Sequence, residues 1–241
     1  MNLPERAAEF RFAVMLLTRL PTGHSGADVP SLVAARWAFV PVGAMVGALT
    51  WVVYALSGAV GAPADVAALL SLAALALITG ALHFDGLADY ADGIGGGRDK
   101  AHSLDIMRDS RIGSYGVVAV GLVAALWAVS VAHIDPGFWA FVGAGMVSRG
   151  AMVATQEILP AARADGLGHS AAGRSRAARA VVAGLALVTL LVSPLVLLAC
   201  AVAAGLIGWQ ARRKIGGHTG DVLGAVQLVS ETAIWVTLAC L

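Results

Sequence analysis

The sequence predicts an all-α fold: a polytopic bundle of about seven transmembrane helices, six if one long run stays whole, with an acidic helical hairpin on the cytoplasmic side. Three observations predict it. Apolar residues make up 59% of the 241 residues before glycine is counted, against about 45–50% with glycine in a soluble domain, so the surplus has to face lipid. They gather into runs near the ~20 helical residues that a hydrocarbon core about 30 Å thick requires. Basic residues fall between alternate runs, the pattern left by retention of positive charge on the cytoplasmic side.

Five runs meet or approach spanning length: residues 37–57, 65–83, 115–133, 138–155 and 222–241. The run 178–211 is 34 residues, or roughly 51 Å as one helix at 1.5 Å per residue, too long for one crossing. Pro194 offers a break near its middle, which reads as two short spans or one kinked helix. Arg6, Arg11, Arg19 and Arg36 precede the first span, and Arg98, Lys100, Arg108 and Arg111 lie between the second and third. Arg163, Arg174, Arg176 and Arg179 follow the fourth, and Arg212, Arg213 and Lys214 precede the last. The alternate loops, near 58–64, 134–137 and 194, contain no Lys or Arg. Seven spans with a cytoplasmic N-terminus satisfy this pattern.

The whole chain, 1–241, reads as a single integral membrane domain without a repeat or low-complexity tract. Charged residues are only 13% of it and the net charge is +1, which excludes a polybasic nucleic-acid surface. Cys200 and Cys240 sit in apolar runs, where a small buried side chain is expected rather than a disulfide or metal site. Glu5, Arg6, Glu9, Arg11 and Arg19 interrupt the N-terminal apolar pattern, so this segment is expected to stay in the mature protein. Small residues such as Gly143 and Gly145 permit close helix packing, within one chain or between copies in a homo-oligomer, and specify no partner.

Six of the fifteen acidic residues lie between positions 85 and 109, in "HFDGLADYADGIGGGRDKAHSLDIMRDSRIGSYG". Asp85, Asp89 and Asp92 are spaced i, i+4, i+7, so a helix continuing beyond the second span puts them on one face. Asp105 and Asp109 repeat the i, i+4 spacing. Gly93, Gly95, Gly96 and Gly97 between them are expected to break the helix and fold the two acidic faces together. Carboxylates at this spacing repel, and no basic residue interleaves the first three. All-oxygen ligation without cysteine favours Mg²⁺ or Mn²⁺, and such ions suit phosphoryl transfer. The bland alternative is a solvated acidic loop. His83 is either a further ligand or an interfacial hydrogen-bonding residue. Arg108, Ser110 and Arg111 beside Asp109 form either a salt-bridged surface or a phosphate grip. Arg149 lies inside the fourth span, where a charge is costly and usually functional, though it is near enough to the cytoplasmic end to snorkel. His169 and His218 read as loop residues.

"HFDGLADYADG" followed by "LDIMRDSRIGSYG" resembles the cobalamin synthase family, the adenosylcobinamide-GDP ribazoletransferases. "LLTRLP" at 16–21, "SRG" at 148–150, "RADGLG" at 163–168 and "GGHTGDVLGA" at 216–225 resemble further landmarks of that family in the same order. The acidic core is also distantly similar to the two-metal site of CDP-alcohol phosphotransferases, through Asp89, Asp92, Gly93, Asp105 and Asp109, without the Ala-Arg expected at 96 and 97. Asp105 stands where many cobalamin synthases carry Glu, and Leu228 where some carry another acid, which shifts weight to Asp221 and Glu231.

The resemblance implies a bacterial inner-membrane enzyme whose active site faces the cytoplasm. It implies that the 3′-hydroxyl of α-ribazole or α-ribazole 5′-phosphate attacks the cobinamide-side phosphorus of adenosylcobinamide-GDP and releases GMP. Asp85, Asp89, Asp92 and Asp105 would hold one or two Mg²⁺, and Asp109 would accept the hydroxyl proton or complete the metal shell. Asp85 and Arg149 would join Asp109 in catalysis, Arg149 as a cation facing the diphosphate with Arg19 or Arg111. Substrate contacts would extend to Arg108, Ser110, Thr219, Asp221 and Glu231, although "GGHTGD" reads equally as a tight interhelical turn. Two rivals remain on residues alone: a phospholipid head-group transferase with the same two-metal logic, and an ion-coupled transporter.

Overall fold

The computed structural model describes residues 3–23, 30–163 and 173–241. The "RADGLG" loop beyond Arg163, and His169, lie outside the described residues. Within them the chain is helical: α1 (Leu3–Leu17), α2 (Leu32–Ala35), a 3-10 turn (Arg36–Ala38), α3 (Phe39–Ala59), α4 (Ala64–Thr79), α5 (Leu82–Gly96) and α6 (Lys100–Ile106). There follow α7 (Ser114–Ile134), α8 (Phe138–Ile158), α9 (Arg176–Val192), α10 (Pro194–Ile215) and α11 (Gly220–Ala239). Among the described residues there is no β-strand, only an isolated parallel bridge between Ala161 and His218.

Among the described residues, four helical stretches are long and apolar enough to cross a membrane: Leu32–Ala59, Ser114–Ile134, Pro194–Ile215 and Gly220–Ala239. A fifth is added if α4 and α5, bent by 89° at their junction, count together. This falls short of the seven runs marked out by the sequence. The helix α8 has the length, but Arg149 and the Gln156–Glu157 end dilute its apolarity; α9, at 17 residues, reaches only about 26 Å. The break expected at Pro194 is present, with proline in the first turn of α10, where its missing N–H costs nothing.

The helix α11 is the centre of the bundle, packing against α5, α7, α8 and α10. Its apolar window is 67% buried, against 22% for α7 and 28% for α10, so the latter two present their outer faces to the surroundings. Leu122, Leu126, Val129, Leu198 and Val202 are among the large apolar side chains turned outward, as lipid contact requires. Inside, Trp127, Phe141 and Trp235 form an aromatic cluster with ring centroids 4.9–6.2 Å apart, Trp127 meeting the other two edge-on.

Glycine governs the closest crossing. A Cβ on Gly43 would run into the carbonyl oxygen of Gly145, one on Gly145 into that of Gly43, and one on Gly47 into that of Phe141. Backbones of α3 and α8 therefore touch, the packing that small residues four apart allow. The carbonyl oxygens so exposed have no side chain to separate them from the neighbouring helix.

Three sequence expectations about the acidic segment need correction. The second helix does not run on past 83: Gly80 (φ 61°) and Ala81 (φ 58°) both adopt the left-handed conformation, with the Ala81 N–H donating to Ala76 O at 2.6 Å, and α5 leaves at a right angle. Gly93 and Gly95 lie inside α5, and the expected break comes only at its end, after Gly96 with Gly97 as the cap. Their lack of side chains makes room, since a Cβ on Gly93 would meet Met107 and one on Gly95 the ring of Tyr115. Finally, α6 ends at Ile106, so Asp109 lies in the following loop and shares no helix face with Asp105.

Gly145→Ala is expected to destabilise the folded protein by about 2 kcal/mol through overpacking against backbone. Gly143→Ala, whose Cβ would meet nothing within 4 Å, is expected to leave the melting temperature in detergent unchanged or raised. Equal melting temperatures for the two variants would contradict the close crossing.

Candidate functional site

The right-angled turn after α4 lays α5 across the N-terminal end of α11. They meet at two glycines: a Cβ on Gly86 would lie 3.2 Å from the Cα of Gly224, and 3.2 Å from the carbonyl oxygen of Asp221. This contact sets Asp85 and Asp89 of α5 beside Asp221 in the first turn of α11. Asp89 is half-buried, and its carboxyl is pushed up to about 7, first by burial and then by the charges of Asp85, Asp221 and Asp92, with Arg163 opposing. Three neighbouring carboxylates and a single arginine thus define its surroundings.

Each member has a distinct local setting. Asp85 is exposed. Asp221 accepts from Thr219 Oγ1 at 3.1 Å and faces Arg163 Nη2 at 3.9 Å. Thr219 also caps α11, accepting from the Val222 N–H at 3.3 Å. Arg163 donates to the Leu104 carbonyl at 2.9 Å, so it links α6 to the carboxylate group. Asp92 is 7% exposed and accepts from the Gly113 N–H at 2.7 Å and the Gly116 N–H at 2.9 Å. It closes the N-terminus of α7, satisfying amide donors that a helix start leaves without partners.

The other predicted residues are placed elsewhere. Asp105 is exposed on α6. Asp109 is bound by Arg111 side chain to side chain at 2.7 Å and accepts from the Arg111 N–H at 3.1 Å. That pairing holds its carboxyl below the usual range, which makes it a weak proton acceptor. Arg108, Ser110 and Arg111 are exposed. The backbone N–H of Arg19 donates to Ile78 O at 2.7 Å, and its side chain covers Gly80, so its charge stands at the negative C-terminal end of α4.

Arg149 and Glu231, expected in separate roles, are partners. Arg149 Nη1 lies 2.8 Å from Glu231 Oε2, with both side chains 5% exposed or less. Gln227 Nε2 donates to the same oxygen at 2.6 Å, Ser148 Oγ at 3.3 Å, and Trp127 Nε1 to the other carboxylate oxygen at 3.3 Å. This network joins α7, α8 and α11. Four donors around one carboxylate are what keeps a buried charge tolerable. A second buried pair, Arg36 with Glu157, ties the 3-10 turn to α8, and Glu157 also accepts from the Ser175 N–H at the start of α9.

"GGHTGD" forms a tight crossing as well as a cap. The His218 N–H donates to Pro160 O at 2.8 Å, and its carbonyl accepts from the Ala162 N–H at 2.9 Å. His218 is itself buried, and burial, then the charge of Arg36, lower its imidazole to about 4.

Among the described residues, no three His, Cys, Asp or Glu side chains form a group that could hold a metal ion by themselves. The donor chemistry nevertheless fits a hard cation: Asp85, Asp89 and Asp221 offer only oxygen donors, and Asp89 is lifted first by burial and then by its carboxylate neighbours, with Arg163 opposing. Mg²⁺ is ordinarily held by one or two carboxylates together with substrate phosphates rather than by a closed protein cage. Beside the group lies a cavity of about 230 Å³ walled by α1, α5, α8 and α11, with Asp85 and Asp221 in its lining.

Sequence spacing pointed to α5 but missed Asp221's closeness to it, along with Arg163's place in the group. The signals were present as Gly86 in "HFDGLAD" and Gly224 in "GDVLGA", two glycines with no turn to explain them.

The family model for cobalamin-5-phosphate synthase matches residues 9–239. The chain is 43% identical to the adenosylcobinamide-GDP ribazoletransferase of Bradyrhizobium diazoefficiens, over 96% of this chain and 93% of that protein. It is 39% identical to that of Mesorhizobium japonicum, over 92% and 88% of the two chains, and 35% identical to that of Chlorobaculum parvum, over 94% and 93%. No solved structure matches it.

Removing one partner of the buried pair, as in Glu231→Ala, is expected to cost about 3–5 kcal/mol by stranding Arg149. The double change Arg149→Met with Glu231→Leu is expected to recover most of that loss. Thermal unfolding in detergent measures both; a double variant as unstable as the single one would contradict the pairing.

Proposed function

The chain belongs to the cobalamin-5-phosphate synthase family, and on that premise we propose that it is an adenosylcobinamide-GDP ribazoletransferase working at the crossing of α5 and α11. The observation that carries the site assignment is the convergence of Asp85, Asp89 and Asp221 at that crossing, beside a cavity. The 3′-hydroxyl oxygen of α-ribazole, or of its 5′-phosphate, forms a bond to the cobinamide-side phosphorus of adenosylcobinamide-GDP. The bond from that phosphorus to the GMP oxygen breaks, and GMP leaves. Such transfer depends mainly on positioning and on stabilising charge.

Asp89 and Asp221 would hold Mg²⁺, with Mn²⁺ as a substitute, and the ion would neutralise charge on the diphosphate. Asp85, the exposed member of the group, takes the proton of the attacking hydroxyl. Arg163 orients Asp221 and offers a cation on the diphosphate side. Asp92 holds the N-terminus of α7 against α5, and the Arg149–Glu231 pair fixes α11 relative to α8; both act by positioning. Asp105 on α6 and the Asp109–Arg111 pair, with Arg108 and Ser110 nearby, form the outer rim that a large corrinoid would meet first.

The alternation of basic residues supports a membrane arrangement in which α8 and α9 complete seven crossings and α5 and α6 lie at the cytoplasmic face of the bacterial inner membrane. Gly43, Gly47 and Gly145 are used within one chain, whereas Gly143 meets nothing within 4 Å and would remain available to a homo-oligomer.

Purified protein given adenosylcobinamide-GDP, α-ribazole and Mg²⁺ is expected to yield GMP and a cobalamin in equal amounts, and EDTA is expected to stop both. Turnover of a CDP-alcohol instead would favour a phospholipid head-group enzyme. Undiminished turnover in EDTA would overturn the metal assignment while leaving the reaction standing.

A further inference from the structure

We propose that the cavity behind the carboxylates receives the benzimidazole base of α-ribazole, with His83 and Gln156 as its hydrogen-bonding walls. This rests on the ribazoletransferase reading and deepens it by assigning one substrate to one cavity.

The cavity is mostly apolar: Leu16 and Leu17 of α1, Phe39 at the start of α3, Met152 of α8 and Leu223 of α11 make up much of its wall. Two buried polar side chains interrupt that wall. His83 is 3% exposed, and neither ring nitrogen has a partner; Gln156 is 5% exposed, and its amide oxygen has none. A buried polar atom left without a partner costs about 1–3 kcal/mol, and a native protein rarely keeps several in one place without a use. Apolar walls with a few convergent polar groups are the usual form of a small-molecule site.

The chemistry of the three substrate parts selects among them. A corrin ring is far larger than 230 Å³ of space. Guanine carries donors and acceptors around most of its edge, more than His83 and Gln156 can match. The dimethylbenzimidazole of α-ribazole is flat and apolar, with one free ring nitrogen that accepts a hydrogen bond. Neutral imidazole has one N–H to give, and His83 gives it to that nitrogen. Gln156 takes a hydrogen from a sugar hydroxyl. With the base seated there, the ribose emerges between Asp85 and Asp221, where the attacking oxygen has to be.

The test uses full-length protein in detergent, with GMP release measured for α-ribazole and for the matching riboside whose free ring nitrogen is replaced by carbon. The wild type is expected to favour α-ribazole by about tenfold or more in kcat/KM, as expected of a site built around a hydrogen bond. His83→Ala should lose that preference and His83→Gln, which keeps a donor, should restore part of it. Met152→Trp, which fills the cavity, should raise the KM for α-ribazole about tenfold and leave that for adenosylcobinamide-GDP within about twofold. Equilibrium binding of labelled α-ribazole to the wild type and to Met152→Trp, both checked for a normal melting temperature, gives a second reading independent of turnover. An unchanged α-ribazole KM, a KM effect on adenosylcobinamide-GDP instead, or a lipid filling the cavity while α-ribazole binds normally would overturn the proposal. If the wild type makes no cobalamin, the ribazoletransferase reading is what fails, and the binding comparison still decides whether the cavity takes the base.

Discussion

The approach of α5 to α11 at Gly86 and Gly224 is the constraint on which the site depends. A Cβ on either glycine would stand 3.2 Å from the Cα of the other, tighter than ordinary van der Waals contact, so a side chain there would push the two helices apart by a few tenths of an ångström. Without it, Asp221 would stand apart from Asp85 and Asp89, and the carboxylates would belong to two unrelated surfaces. Two further features serve the same contact. The left-handed pair at Gly80 and Ala81 turns α5 through a right angle, and Asp92 fastens the far half of α5 to the start of α7.

Charge inside this bundle is handled in two opposite ways. Glu231 is surrounded by Arg149, Gln227, Ser148 and Trp127, a network that holds its carboxylate in place. With the carboxylate so engaged and both side chains buried, the arginine reads as a fastening of α8 to α11. Asp85, Asp89 and Asp221 have the reverse balance: burial and mutual repulsion lift Asp89, with Arg163 opposing, and Thr219 donates to Asp221. Holding like charges together raises the free energy of the empty site, a cost that the proposed cation and diphosphate would offset.

Much of this was legible in the sequence. Apolar runs gave most of the helices, Pro194 gave the break between α9 and α10, and the strings around Asp85–Asp109 and Thr219–Asp221 gave the family that full-length relatives bear out. The site was only partly legible, because residue spacing reports a face only while a helix stays continuous. Gly93 and Gly95 looked like breaks yet serve packing against Met107 and Tyr115; the break falls at Gly97, the cap of α5, and a further turn at Gly80 was not expected. Asp109 looked like a partner of Asp105 but falls beyond the end of α6. The pairing of Arg149 with Glu231, and of α5 with Asp221, joins residues 82 and more than 100 positions apart, and no local pattern encodes such distances.

The claim that the reacting carboxylates are those at the α5–α11 crossing is tested most directly by kcat for three matched variants. Asp89→Asn and Asp221→Asn should each lower kcat at least about a hundredfold, the scale for loss of one charge-stabilising group, while Asp105→Asn stays within about threefold of the wild type. A large loss in Asp105→Asn with near-normal turnover in Asp221→Asn would contradict the account and return the centre to the α5–α6 hairpin.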